Sequence, residues 1–338
     1  MRTDLFDYTL PPEQIAQFPL PVREQAKLLS LDRKTGAVHD HHIADLPDLL
    51  QPGDLLVFNN SKVFNARLEG YQHRQTFEVF LLHPEGERWS ALVRGLKKLA
   101  IGDDIIFADE STATLVQKDL DGVAWLDFHR PIEAVFELCE KHGQVPTPPY
   151  VKTTVTNASD YQTVYAEPRG SVAAPTAGFH FTPALLETLR ARGIQQAFLT
   201  LHVGLGTFRP MQSETLEEHQ MHAEWINVSK EVVAQIEATK RAGHRVIAVG
   251  TTTTRALESA AQATGSLQPF QGFTNIFITP GFIFRVIDGL VTNFHLPKST
   301  LLVLVSALAG REHVLAAYQH AVTTNYRFYS FGDAMLIL

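Results

Sequence analysis

The 338-residue chain has one cysteine, no surplus of positive charge and no long apolar run. Cys139 by itself forms neither an internal disulfide nor a cysteine-based zinc site, which fits a reducing, cytoplasmic setting. Asp and Glu number 36 against 29 Lys and Arg, a formal net charge of −7. Proteins that coat nucleic acid electrostatically carry the opposite balance. The apolar stretch 301–309 contains Ser306 and is about half the ~20 residues that cross a bilayer. Asp4 and Asp7 stand where a signal peptide would place apolar residues, so a soluble protein is expected. Charged residues make up 19% and hydrophobic ones 45%, which excludes a disordered chain held open by its own charge.

What is present points to two domains, since one domain takes ~100–200 residues. Six short strand patterns, 66–72, 76–83, 89–95, 104–108, 112–118 and 123–129, follow one another with tight turns between them. In the last, Val123, Trp125 and Asp127 alternate with Ala124, Leu126 and Phe128, as in a strand with one buried face. Closure into a small antiparallel barrel would remove the exposed edges. Around this block the texture alternates strand, loop and helix. Thr182 and Ser229 are placed to N-cap helices that stop near Gly193 and Gly243. The apolar segments 55–58 and 246–249 read as buried strands, and a further helix is expected from about Arg255. The reading is an α/β core (1–63 and 151–338) with an inserted six-stranded antiparallel β-barrel (64–150). Eleven of the 15 histidines lie outside the insert, so groups that titrate near neutrality are concentrated in the core.

Ligands of α/β sheets gather beyond the C-terminal strand ends. Three polar clusters fall at such places. His202 precedes a Gly-x-Gly turn in 199–206, where it is either a reactive group or a half-buried strand histidine with its own partners. Thr251, Thr252 and Arg255 lie where a threonine-rich loop enters a helix; they could hold a carboxylate or phosphate. Alternatively they cap the helix, with Arg255 and Glu258 forming a surface pair. Asn293 and His295 alternate along one strand end, or brace a turn. His180 follows a small-residue loop, and His219, His222 and Glu224 stand close together. Those three fit a metal, a solvated helix face or metal-free acid/base work, but lack an HExxH arrangement. The 39–42 segment, rich in histidine, reads as an exposed strand, 94–98 as a solvated turn, and Tyr326, Phe328 and Tyr329 as core.

Eight segments in order, among them GSVAAPTAGFHFT (170–182), TLHVGLGTF (200–208), RVIAVGTTTTRALE (245–258), TNFHLPKSTL (292–301) and YRFYSFGDAM (326–335), carry a resemblance over nearly the whole chain. The sequence resembles the S-adenosylmethionine:tRNA ribosyltransferase-isomerases of queuosine biosynthesis. The resemblance implies transfer of the ribosyl part of S-adenosylmethionine to 7-aminomethyl-7-deazaguanine at the tRNA anticodon wobble position. Rearrangement then gives epoxyqueuosine, with adenine and methionine released. S-adenosylmethionine is consumed as cosubstrate; no bound cofactor and no metal is implied, and a monomer is expected. On this basis His202, His222 and His295 are expected to supply base and acid, beside His180 and Glu224. Thr251, Thr252 and Arg255 would hold the methionine carboxylate or an RNA phosphate. Asn59, Asn293, Ser330 and Asp333 are candidates for ribose or base contacts, and Arg169, Arg209 and Lys240 for tRNA.

The sequence departs from the family pattern at YQHRQTFEV after Gly70, at RGLKK in 94–98 and at 25–27. Two other classes compete on residues alone: a metal-dependent hydrolase using His219, His222 and Glu224, and a noncatalytic RNA-binding module built on the barrel, which its acidic charge disfavours.

Overall fold

A computed structural model describes residues 1–119, 122–146, 150–151, 158–204 and 211–338. The chain divides into two compact units, one comprising Met1–Ser61, Pro149–Pro168 and Ala174–Leu338, the other Lys62–Pro148 with Arg169–Ala173.

The first unit begins with β1 (Lys27–Leu31), β2 (Val38–His42), a short α1 (Leu46–Leu49) and β3 (Leu55–Asn59). The second unit follows, with β4 (Lys62–Val63), β5 (Arg67–Gln72), β6 (Gln75–Glu85), β7 (Arg88–Val93), β8 (Asp104–Phe107), β9 (Thr112–Lys118) and β10 (Val123–Asp127). Strands β5 to β10 close into a six-stranded barrel in the order β10-β7-β6-β5-β8-β9, and every pairing is antiparallel, as expected. Ala124 and Leu126 point into the barrel, buried. Phe136, on α2 (Ile132–His142), packs edge-on to the buried Trp89 with ring centres 5.3 Å apart. The helix stops at Gly143, where a side chain would place its Cβ 2.0 Å from the Asn65 carbonyl. Burial pushes the Cys139 thiol up to about 12, so it is an inert core group. The strand β11 (Arg169–Ser171) pairs in parallel with β4. That pairing puts 169–173 in the barrel unit, although their position in sequence had assigned them to the core.

The core unit continues with α3 (Pro183–Ala191), β12 (Gln195–Leu201), β13 (Glu224–Val228), α4 (Lys230–Arg241), β14 (Val246–Val249), α5 (Thr251–Thr264), β15 (Phe270–Thr274), β16 (Gly289–Asn293), α6 (Thr300–Ala309), α7 (Arg311–Thr323) and β17 (Ala334–Ile337). Its nine-stranded mixed sheet runs β15-β13-β12-β3-β14-β16-β17-β1-β2. All five residues of β3 are buried because β12 and β14 flank it in parallel and both sheet faces are covered. Thr182 and Ser229 cap α3 and α4 as their sequences dictate, accepting from Leu185 N–H and Val232 N–H. The edge strand β2 leaves His39, Asp40 and His42 exposed, while Tyr326, Phe328 and Tyr329 are buried.

Two local expectations are corrected. Helix α5 begins at Thr251, not near Arg255. Thr253 and Thr254 hydroxyls donate back to the carbonyls of Val249 and Gly250, so the threonines join the helix instead of forming a loop before it. Residues 219–223 are irregular and not a helical face; regular structure resumes only at Glu224, where β13 pairs with β12 and β15. Among the described residues no single helix is long and apolar enough to cross a membrane.

Candidate active site

The parallel strands β14 and β16 end side by side. Beyond their C-terminal ends opens a cavity that is partly open to solvent. Its wall brings together Thr251 and Thr252 of the α5 first turn, Asn293 at the end of β16, His295 just past it, and Ser330. Gly250, between β14 and α5, has φ 93° and ψ 151°, a region open essentially to glycine alone. This lets the strand pass into the helix with no side chain at the mouth. Ser299 caps α6 from the same rim through Leu302 N–H.

His295 does not continue the strand alternation from Asn293, because β16 ends at Asn293. Instead it turns back so that its Nε2 lies 2.9 Å from Thr292 Oγ1. Its main chain is held from both sides: its N–H donates to Tyr318 OH at 3.0 Å, and Tyr8 OH donates to its carbonyl at 2.5 Å. Burial drives its pKa down to about 3.

His180 does not line the cavity wall but is tied to it through Asn293. Asn293 Nδ2 donates to Tyr329 O at 3.1 Å and to His180 Nε2 at 3.2 Å, and Thr176 Oγ1 lies 3.4 Å from Asn293 Oδ1. A carbonyl oxygen only accepts, which fixes the amide orientation and makes His180 Nε2 an acceptor with its proton on Nδ1. Burial, with Arg23 and Arg327 adding repulsion, pushes His180 down to about 4. His202 is similarly lowered to about 4 by burial. Its ring stacks on Trp225 with centres 5.0 Å apart, Nδ1 has no partner among the described residues, and the next residue, Val203, lines the cavity. The expectation that these histidines titrate near neutrality is therefore corrected: desolvation moves the titration of all three well below it.

Several expected roles meet side chains already engaged. Arg255 forms a buried ion pair with Glu224, not the surface pair with Glu258, and Glu224 also accepts Gly204 N–H at 2.8 Å. Glu258 instead receives the main-chain N–H groups of Arg285, Val286 and Ile287. Both oxygens of Asp333 accept main-chain N–H groups, from Lys27 at 2.9 Å and Arg327 at 2.7 Å. Asn59 brackets Leu201 through both its main-chain N–H and carbonyl, and donates to Thr252 Oγ1 at 3.3 Å. His222 is exposed and does not line the cavity. With Glu224 held by Arg255 and Gly204, the His219–His222–Glu224 set offers no free carboxylate for a metal. Arg169 faces Glu140 at 3.4 Å on the barrel unit, and Lys240 faces Asp288 at 3.4 Å. Arg209 lies outside the described residues.

Sequence reasoning passed over Tyr150, Thr176 and Tyr329, which also line the cavity. Tyr150 sits in a proline-rich stretch with no local periodicity, and Tyr329 reads as one more core aromatic. Their proximity to β16 arises only through the chain's return.

The model of a family described as queuosine biosynthesis protein matches residues 3–337. An S-adenosylmethionine:tRNA ribosyltransferase-isomerase of Moorella thermoacetica is 50% identical over 345 residues, covering 100% of both chains. One of Zymomonas mobilis is 49% identical, covering 100% of this chain and 99% of its own. The crystal structure of an S-adenosylmethionine tRNA ribosyltransferase from Thermotoga maritima is similar with a TM-score of 0.59 and 37% identity, over 99% of this chain and 100% of that one. A barrel inserted in an α/β core, a polar cavity at the strand ends and this full-length kinship agree: the chain belongs to the queuosine biosynthesis protein family.

Proposed function

We propose that this protein is an S-adenosylmethionine:tRNA ribosyltransferase-isomerase. It transfers the ribosyl moiety of S-adenosylmethionine to 7-aminomethyl-7-deazaguanine at the tRNA wobble position and rearranges it to epoxyqueuosine, releasing adenine and methionine. S-adenosylmethionine is consumed, and no resident cofactor enters the scheme. The same reading makes the protein a cytoplasmic monomer. Its main support in the structure is the placing of His295 at the wall of a cavity whose other polar side chains are hydroxyls and an amide.

The chemistry asks for such a group. A sulfonium acidifies the adjacent ribose C5′–H, and a neutral imidazole takes that proton while the bonding pair stays on carbon. The cavity holds one net positive charge before and after this step, since the substrate becomes an internally neutral ylide as the imidazole becomes cationic. That offsets part of the cost of charging a buried histidine. His295 is assigned as the base, with His202, which is outside the cavity wall but next to its member Val203, as the second proton-transfer group and His180 held by Asn293. Proton transfer by positioned groups contributes roughly 10²–10⁴-fold. Thr251 and Thr252, in the first turn of α5, whose N-cap Gly250 makes no side-chain cap bond, suit the methionine carboxylate. Arg255 is withdrawn from that role and holds Glu224. Ser330 and Asn293 remain candidates for ribose or base contacts, and Arg169 and Lys240 for tRNA phosphates.

Incubation with S-adenosylmethionine and precursor tRNA should release free adenine only when both are present. Adenine release that ignores the tRNA, or none at all, overturns the assignment. His295→Ala should lower turnover at least ~10²-fold with the fold intact; near-normal release from that variant removes His295 as base.

A further inference from the structure

Tyr329 stands out on three independent counts. It is a non-glycine residue with φ 73°, in the left-handed region that bulky side chains avoid. The residue is 6% exposed, and its hydroxyl makes no hydrogen bond among the described residues, although unlike Tyr161 OH it is not a fully buried unpaired group. It lines the cavity, and its ring lies 4.8 Å from that of Tyr150, which lines the same space, at an interplanar angle of 51°.

The backbone conformation is held by its surroundings. Tyr329 N–H donates to Phe294 O at 3.1 Å, and its carbonyl receives Gly332 N–H at 3.0 Å as well as Asn293 Nδ2. A strained position kept in place from both sides of the peptide, on a residue that lines a cavity and has an unused hydroxyl, suits a substrate contact. The neighbouring hydroxyls differ in this respect: Tyr150 OH lies 2.6 Å from Ser330 Oγ, and Tyr8 and Tyr318 are bonded to the His295 main chain.

We propose that Tyr329 is a substrate-binding residue. Its ring, with Tyr150 beside it, forms the aromatic wall on which a purine or 7-deazapurine ring stacks, and its hydroxyl bonds a polar group of that nucleoside. This inference rests on the reading of the cavity as the ribosyl-transfer site. Two substrates carry such a ring: the adenine of S-adenosylmethionine and the modified base of the RNA.

Binding experiments separate these sources. Wild type, Tyr329→Phe, Tyr329→Leu and Tyr329→Gly are compared for affinity toward S-adenosylhomocysteine and toward an anticodon stem-loop bearing 7-aminomethyl-7-deazaguanine, with thermal unfolding as control. Loss of the ring should weaken one ligand by ~10–100-fold, the range of base–aromatic stacking. Loss of the hydroxyl alone should cost about 3–10-fold. Tyr329→Gly relieves the backbone strain, so a stable but weakly binding glycine variant separates ligand contact from folding. Weaker S-adenosylhomocysteine binding identifies adenine as the stacked ring; weaker stem-loop binding identifies the deazaguanine. If wild type binds while every variant binds both ligands equally well, this inference fails and the functional assignment stands. If wild type binds neither ligand, the assignment fails and takes the inference with it.

Discussion

Arg255 and Glu224 are paired inside the core, each side chain only 4% exposed. Each also serves the main chain: Glu224 accepts Gly204 N–H at 2.8 Å, and Arg255 Nε donates to Ile276 O at 3.3 Å. The pair thus joins the start of β13 to the first turns of α5 and to the residue that follows His202 and Val203.

Removing either partner strands a buried charge. Arg255→Ala or Glu224→Ala should therefore lose ~3–5 kcal/mol in urea unfolding. An Arg255→Met, Glu224→Leu double variant should be more stable than either single one, because it buries no unpaired charge. A double variant as unstable as the worse single variant would show that the ion pair is not the source of the loss.

Acid should destabilise the protein well above the range where carboxylates titrate. His180 and His202 are held near 4 and His295 near 3, against 6.5 for a free histidine. The unfolded chain then binds protons that the folded one refuses, so stability is complete above pH 6.5 and falls as pH drops towards the folded values. Each buried histidine contributes a slope of up to about 1.4 kcal/mol per pH unit in that window. Denaturation at pH 7 and pH 5 should show the fall, and His180→Gln should flatten it.

Gly250→Ala tests the strand-to-helix turn. An added Cβ would meet Thr252 Oγ1 at 3.5 Å and Ala177 Cβ at 3.6 Å, which are ordinary contacts. The cost is therefore conformational, ~1–3 kcal/mol, and should appear as a lowered unfolding midpoint. A midpoint equal to wild type would mean the turn relaxes without strain.

RNA affinity should depend on salt through few contacts, given the net charge of −7. Arg169→Ala should lower the slope of log affinity against log salt by roughly 1. Lys240→Ala should do the same only if Asp288, 3.4 Å away, yields the lysine to a phosphate. A slope unchanged in both variants would remove these residues from the RNA surface.

The legible part of the fold was local. Thr182 with Pro183, and Ser229 ahead of Val232 and Val233, are start signals that act within one turn. The alternation in 123–127 sets which residues enter the barrel. The apolar 55–58 and 246–249 segments could only be covered strands. At the site, polar clusters at strand ends identified Thr251, Thr252, Asn293 and His295 as neighbours of a cavity. Tyr150 escaped because nothing within a few residues marks it, and Tyr329, although next to the candidate Ser330, because it reads as one more core aromatic.

The sequence by itself determined the elements, the interrupted α/β plan and the family, since caps, periodicity and ordered motifs are properties of contiguous residues. The tertiary structure alone decided which polar groups are free to act. Asp333 is consumed by the main chain of Lys27, 306 residues away, and Arg255 by Glu224. His180, His202 and His295 resist protonation well below the free-histidine range because other segments exclude water from them. Pairing across the chain and desolvation arise from packing, and no short stretch of sequence contains them.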